Sequence, residues 1–290
     1  SDNTSTNEIY SLIGSAQGGS VVKTWDRFDL ASIDTSNAPG GMEAAADRIE
    51  ANAKIEYAVP NFVREYKVAD GIFPNDPYFP QQWGLHNGGQ LPGGGTGLGQ
   101  DDADIDAPEA WEVTTGTSDV VIAIIDSGVD YTHPDLLANM WVNPGEIDGD
   151  GVDNDGNGYV DDIYGADTSI DQDGDPMDLT LGHGTHVAGT AAAVGDNGIG
   201  VTGVSWNAKI MAVKLNSDLA AGFVDSDAIN AIDYVTMMKE DYGVNVVVSN
   251  NSWGELDPPS TAMFNSPALA DAIQAHVDAG IVFVAAAGND

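Results

Sequence analysis

No cysteine occurs in the 290 residues, so neither a disulfide framework nor a thiol nucleophile is available to this chain. Basic residues are almost as scarce. Nine Lys and Arg stand against 46 Asp and Glu, a net charge of −37, and a chain this acidic is repelled by nucleic acid and by anionic membranes. Both are excluded as partners. No apolar run approaches the roughly 20 residues of a membrane span. The acid excess runs through the whole chain and fits a saline setting or general solubility alike. What remains is enough chain for one substantial core and a small second domain.

Apolar runs mark the framework. Val120–Ile125 in VVIAIIDSGVD is continuous and stops at Asp126 before a Ser127-Gly128 turn, the pattern of a buried parallel strand. A carboxylate at the carboxyl end of such a strand lies where open α/β sheets build their sites, although alone it also reads as an Asp capping a turn. KIMAVKL at 209–215, VNVVVSNNSWGE at 244–255 and IVFVAAAGND at 281–290 give further strands, the last two buried runs ending in small or polar residues. In GHGTHVAGTAAAVG, glycines flank His183 and small residues follow. This predicts a helix packed closely on the sheet with His183 at its N-terminal end. His186 falls inside that helix, where packing or a hydrogen bond is its expected role. A carboxylate and an imidazole are two of the three groups needed to activate a serine hydroxyl.

Residues 140–178 are thick with Asp, Asn and Gly and hold no basic residue between Met140 and Met177. Asp153, Asp155, Asn157 and Asp161 fall at positions 1, 3, 5 and 9 of a calcium loop, with Gly158 at the turn and the Tyr159 carbonyl at position 7. Position 12 is Tyr164 where a bidentate Glu is expected, so Asp162, Asp148 or Asp150 is left to complete the shell. The other reading of the segment is a solvated acidic loop.

DSGVDYTHPDL at 126–136, GHGTHVAGT at 182–190, NNSWG at 250–254 and VFVAAAGN at 282–289 resemble, in this order, the motifs of the subtilisin-like serine proteases, or subtilases. The resemblance implies an α/β fold, a three-layer sandwich around a mostly parallel central sheet, here incomplete. It implies Asp126 as the triad acid, His183 as the general base and Asn289 as an amide donor to the oxyanion. Ser252, Trp253 and Gly254 would pair with an extended substrate and form one wall of its pocket. Ala286 and Gly288 would face them, with the loop around Gly222 as the opposing edge. PNDPYF at 74–79, Asp135 and GDNGIGV at 195–201 resemble the pieces of a second calcium site, in which Asp76, Asp135 and Asn197 supply side-chain oxygens.

Two departures accompany the resemblance. The acid and base are 57 positions apart, against about 32 in subtilisin, an excess that coincides with the acidic segment. In the family the serine follows the histidine by about 150 residues. Only 107 remain here and no GTSMA-like segment is among them, so the chain reads as a proenzyme cut before its nucleophile and inactive by itself.

Before PNDPYF, VVKTWDRFDL reads as a strand, GGMEAAADRIEANA as an amphipathic helix and KIEYAVPNFVREYKV as a closing strand. This resembles the end of a subtilase propeptide, a small α+β domain acting as intramolecular chaperone and inhibitor. The expected domains are therefore 1–73, propeptide-like, and 74–290, the first part of a catalytic domain. The expectation is a secreted, extracellular, Ca2+-dependent serine endopeptidase that acts on protein or peptide substrates, with a leader either removed or left out ahead of Ser1. The alternative is a non-catalytic subtilase-like module serving as a calcium-binding scaffold.

Overall fold

A computed structural model of the chain describes residues 20–25, 30–34, 39, 41–51, 58, 71–90, 99–169, 175–215, 222–254 and 266–288. Contacts divide the chain into two units, Ser1–Lys67 and Val68–Asp290. In the first, β1 (Ser20–Trp25) pairs antiparallel with β2 (Leu30–Asp34), and α1 (Gly41–Glu50) follows. The stretch 21–30, expected as one strand, is thus two: the chain reverses after Trp25, and Leu30 pairs back onto it. The expected closing strand, but for Ala58, lies outside the described residues. The division falls before the 73/74 boundary read from the sequence. Gly71 and Ile72 already belong to the second unit, their N–H groups donating to Glu112 Oε1 at 3.1 Å and Pro108 O at 2.9 Å.

The second unit is built on five strands: β3 (Val121–Asp126), β4 (Gly165–Asp167), β5 (Lys209–Lys214), β6 (Val246–Asn251) and β7 (Val282–Ala285). Their order is β4-β5-β3-β6-β7, and every neighbouring pair is parallel. Parallel neighbours require crossovers. These are supplied by α3 (His183–Ala192), α4 (Asp225–Glu240) and α5 (Pro267–Asp278), while the short α2 (Ala107–Trp111) precedes β3.

Strand alternation assigns the two faces. Val121, Ala123 and Ile125 with Met211 and Val213 bury against Ala231, Ile232, Val235 and Met238 of α4. Ile124 with Ile210 and Ala212 buries against Ala188 and Ala192 of α3. Because α3 turns Gly184 and Ala188 inward, its first turn can approach β3 closely. The result is helix, sheet, helix, the three layers that the apolar runs and the resemblance imply. β7 departs from expectation. Read as a buried strand, it is the outermost strand among those described, and Val282 and Val284, which share one face of it, are exposed, whereas Phe283 on the other face packs on the core.

The chain leaves β3 toward β4 and β5 on one side, then crosses to β6 on the other. The order therefore reverses at the carboxyl end of β3, the place where parallel α/β sheets open a crevice. Asp126 is the last residue of that strand.

Candidate active site

Asp126 is buried, and its Oδ1 lies 2.7 Å from His183 Nδ1 and accepts a 2.7 Å bond from Ser127 N. His183 opens α3, and its side chain is 57% exposed. The carboxylate is thus shielded and aimed while the imidazole presents its other nitrogen outward. This fixes the tautomer: an acceptor-only carboxylate at Nδ1 requires the proton there, which leaves the lone pair on Nε2. Among the described residues, no serine hydroxyl is hydrogen-bonded to the His183 ring. His186, expected to pack or bond inside the helix, is exposed.

The approach of α3 to β3 is held by contacts that the motifs alone did not reveal. Gly184 N donates to Ser127 Oγ at 2.9 Å, and Ser127 Oγ donates to Asp178 Oδ2 at 3.1 Å. Asp178 also accepts from Gly182 N at 3.0 Å and from Thr185 Oγ1 at 3.2 Å, so one carboxylate holds the entry to the helix. A Cβ on Gly184 would collide with the Gly128 carbonyl and come within 3.0 Å of Asp126 Cβ. Only glycine permits this approach.

Asp126, His183, Leu215, Gly222, Phe223, Ser252 and Trp253 line one cleft. Two of the expected substrate residues, Ser252 and Trp253, therefore meet the acid–base pair, and the expected Gly222 edge lies with them. Trp253 is packed edge-on against Phe223 at 5.4 Å and Phe283 at 6.3 Å. Gly254, Ala286 and Gly288 are exposed and do not line the cleft. Ala286 continues the β6–β7 ladder by donating to Asn251 O at 3.1 Å. Asn289 lies outside the described residues.

The acidic segment gathers a different set from the one read by spacing. Carboxylate oxygens of Glu146, Asp155 and Asp162 lie within 4.8 Å of one another. Asp153 instead accepts from the N–H groups of Gly156, Asn157 and Gly158, and Asp161 from those of Gly149 and Gly151. These two shape turns. Asn157 donates to Asp162 Oδ2 at 2.9 Å, and Tyr159 packs edge-on against Tyr234 at 5.0 Å. Glu146 was not foreseen because it stands before the twelve-residue window. The signal for it was the missing acid at position 12. Burial raises the Asp162 carboxyl to about 6, with Asp155 adding to the rise and bonds from Tyr234, Asn157 and Asn143 opposing it.

Asp76, Asp135 and Asn197 also come together. Asn197 Nδ2 donates to Asp135 Oδ1 at 2.9 Å, Val201 N donates to Asp135 Oδ2 at 2.8 Å, and Asp196 N donates to Asp76 Oδ2 at 2.7 Å. Asp76 and Asp135 are buried, and burial raises the Asp76 carboxyl, Asp135 adding to the effect. Asp76 Oδ1 and Glu146 Oε2 are buried without a hydrogen-bond partner among the described residues. An unpartnered carboxylate oxygen in each cluster fits a hard cation bound through oxygen, as calcium is, and not a soft thiolate metal.

The model of the subtilase family, peptidase group S8, matches residues 117–290. The chain is 34% identical over 218 residues to subtilisin-like protease 1 of Plasmodium berghei, covering 75% of this chain and 31% of that protein. It is 35% identical over 252 residues to the thermophilic serine proteinase of Bacillus sp. strain AK1, covering 87% of this chain and 48% of that one. It thus spans less than half the length of either relative. Among solved structures, proteases from Pseudoalteromonas arctica align with TM-score 0.50 at 26% identity, over 75% of this chain and 59% of theirs. The Aeromonas sobria serine protease, solved with its chaperone, aligns with TM-score 0.51 at 26% identity, over 74% and 32%.

Proposed function

The chain belongs to the subtilase family, and on that premise we propose that it is the acid–base half of a serine endopeptidase whose nucleophile lies outside these 290 residues. The observation that carries the proposal is the 2.7 Å bond between buried Asp126 and half-exposed His183 in the lining of a cleft. His183 Nε2 takes the proton of a serine hydroxyl as that oxygen attacks the peptide carbonyl, and returns it to the leaving amine. Asp126 holds the tautomer and stabilises the imidazolium. Asn289 is assigned the neutral amide donor that meets the oxyanion. Ser252–Gly254, with Ala286 and Gly288, are assigned to the extended substrate.

Calcium is assigned to both carboxylate clusters, where it would neutralise charge and tie loops together. Glu146, Asp155 and Asp162 hold it in one, with Asn157 and the Tyr159 carbonyl beside them. Asp76 and Asp135, braced by Asn197, hold it in the other. Residues 1–73 are assigned to a propeptide removed by a cut between about Val68 and Pro74, and the mature protein to the extracellular space. The test is hydrolysis of a fluorogenic peptide by the whole protein and by the 290-residue chain. Turnover by the whole protein alone supports the proposal, whereas turnover by the 290-residue chain that disappears in His183→Ala would show the nucleophile to be inside it.

A further inference from the structure

His276, in the last turn of α5, is fully buried. Its Nδ1 lies 2.8 Å from Thr236 Oγ1 on α4, and its Nε2 lies 3.0 Å from Ser249 Oγ on β6. The ends of this chain of bonds fix the direction of each one. Thr236 Oγ1 spends its one proton on Ile232 O at 2.7 Å, so it accepts from His276 and Nδ1 carries the hydrogen. At the other end Asn251 Nδ2 donates to Ser249 Oγ at 3.0 Å and to Ser249 O at 3.1 Å. The Ser249 hydroxyl proton is therefore free to point at Nε2. Donation runs one way, from Asn251 through Ser249, His276 and Thr236 to the Ile232 carbonyl.

Asn251 ends β6, and the two residues after it, Ser252 and Trp253, line the cleft. We propose that His276 is a positioning residue, a neutral Nδ1–H imidazole whose hydrogen-bond chain holds Asn251 and so sets the substrate wall Ser252–Gly254. The proposal rests on the reading of that cleft as a substrate site. Without the ring, the Ser249 hydroxyl and the Asn251 amide are buried polar groups with no relay to α4, a state the interior penalises. A proton on Nε2 would turn the Ser249 hydroxyl into an acceptor on both sides and take away the acceptor of its own hydrogen.

The groups that face the ring favour neutrality. β6 presents Ser249, β7 presents the Phe283 ring edge-on at 6.2 Å, and α4 presents Thr236 and the cation Lys239. Burial, with Lys239 adding to it and the Ile232 carbonyl opposing it, lowers the imidazole to about 4.

Two measurements test the proposal without turnover. Long-range 1H–15N spectra of the protein should show His276 as the Nδ1–H form, unchanged from about pH 7.5 to about pH 5. An Nε2–H form, or titration near about 6.5, overturns it. Trp253 emission, isolated by difference against Trp253→Phe, should shift in Ser249→Ala and hold in His276→Gln, which keeps one donor and one acceptor but takes no proton. Unchanged emission in Ser249→Ala overturns the proposal. In the whole protein, Ser249→Ala should raise KM for an extended peptide by roughly three- to tenfold with kcat within about twofold, and an unmoved KM overturns it. A whole protein that hydrolyses no peptide overturns instead the peptidase reading, and the spectra and emission still decide the role of His276.

Discussion

Replacing Gly184 by alanine should damage the acid–base pair although neither of its members is substituted. The added Cβ collides with the Gly128 carbonyl and comes within 3.0 Å of Asp126 Cβ, and these are backbone and strand-end atoms that cannot rotate away. The start of α3 must therefore move outward and carry His183 with it. Overpacking of this kind costs about 1–3 kcal/mol of stability. A displacement on the order of 1 Å at reacting groups costs on the order of 100-fold in turnover. Gly189 is the matched control, on the same helix, where an added Cβ would meet nothing within 4 Å. Its alanine variant should be neutral or gain up to about 1 kcal/mol of helix propensity. Thermal unfolding and peptide hydrolysis by the whole protein read both variants. If Gly184→Ala unfolds and turns over like Gly189→Ala, the close approach of α3 to β3 does not set the His183–Asp126 geometry.

Three further outcomes follow from the same structure. The three carboxylates of Glu146, Asp155 and Asp162 repel by about 3–4 kcal/mol per pair at an effective dielectric of about 20, so calcium at about 100 times its Kd should raise stability by about 2.7 kcal/mol. Glu146→Gln and Asp155→Asn should lose that gain while Asp153→Asn keeps it, and the reverse pattern in a calcium-titrated melt would return the site to the turn residues. His276 is lowered to about 4 in the fold against about 6.5 unfolded, so the unfolded chain binds the extra proton between those values. Its contribution, up to about 3 kcal/mol, is whole above pH ~6.5 and is lost as pH falls toward ~4. His276→Gln should flatten that part of the stability–pH curve, and an unaltered slope would refute the assignment. Asp126→Asn should lower turnover by about 10⁴-fold and Asn289→Ala by only about 10²- to 10³-fold, an order that steady-state kinetics would reveal if inverted.

The sequence was most informative where the local pattern and the tertiary environment agree. β3 and β5 are continuous apolar runs because both faces of the sheet are covered, and Asp126 and His183 are legible because each interrupts a run of small or apolar residues at its end. β4 went unseen. Gly165-Ala166-Asp167 has no strand signal of its own and becomes a strand only by pairing with Ala212–Lys214. Glu146 was missed for a related reason: the fold, not the loop spacing, brings it to Asp155 and Asp162. The partners of His276 are 27 and 40 positions away, on elements that only the crossover topology places side by side. Spacing reads a motif within a segment and does not report which segments meet.

The central claim is tested most directly by labelling the whole protein with a fluorophosphonate probe and locating the modified residue by mass spectrometry, with and without His183→Ala. The expected result is one labelled serine outside residues 1–290 and no label in the variant. A label on a serine within residues 1–290, or one that persists in His183→Ala, would contradict the account.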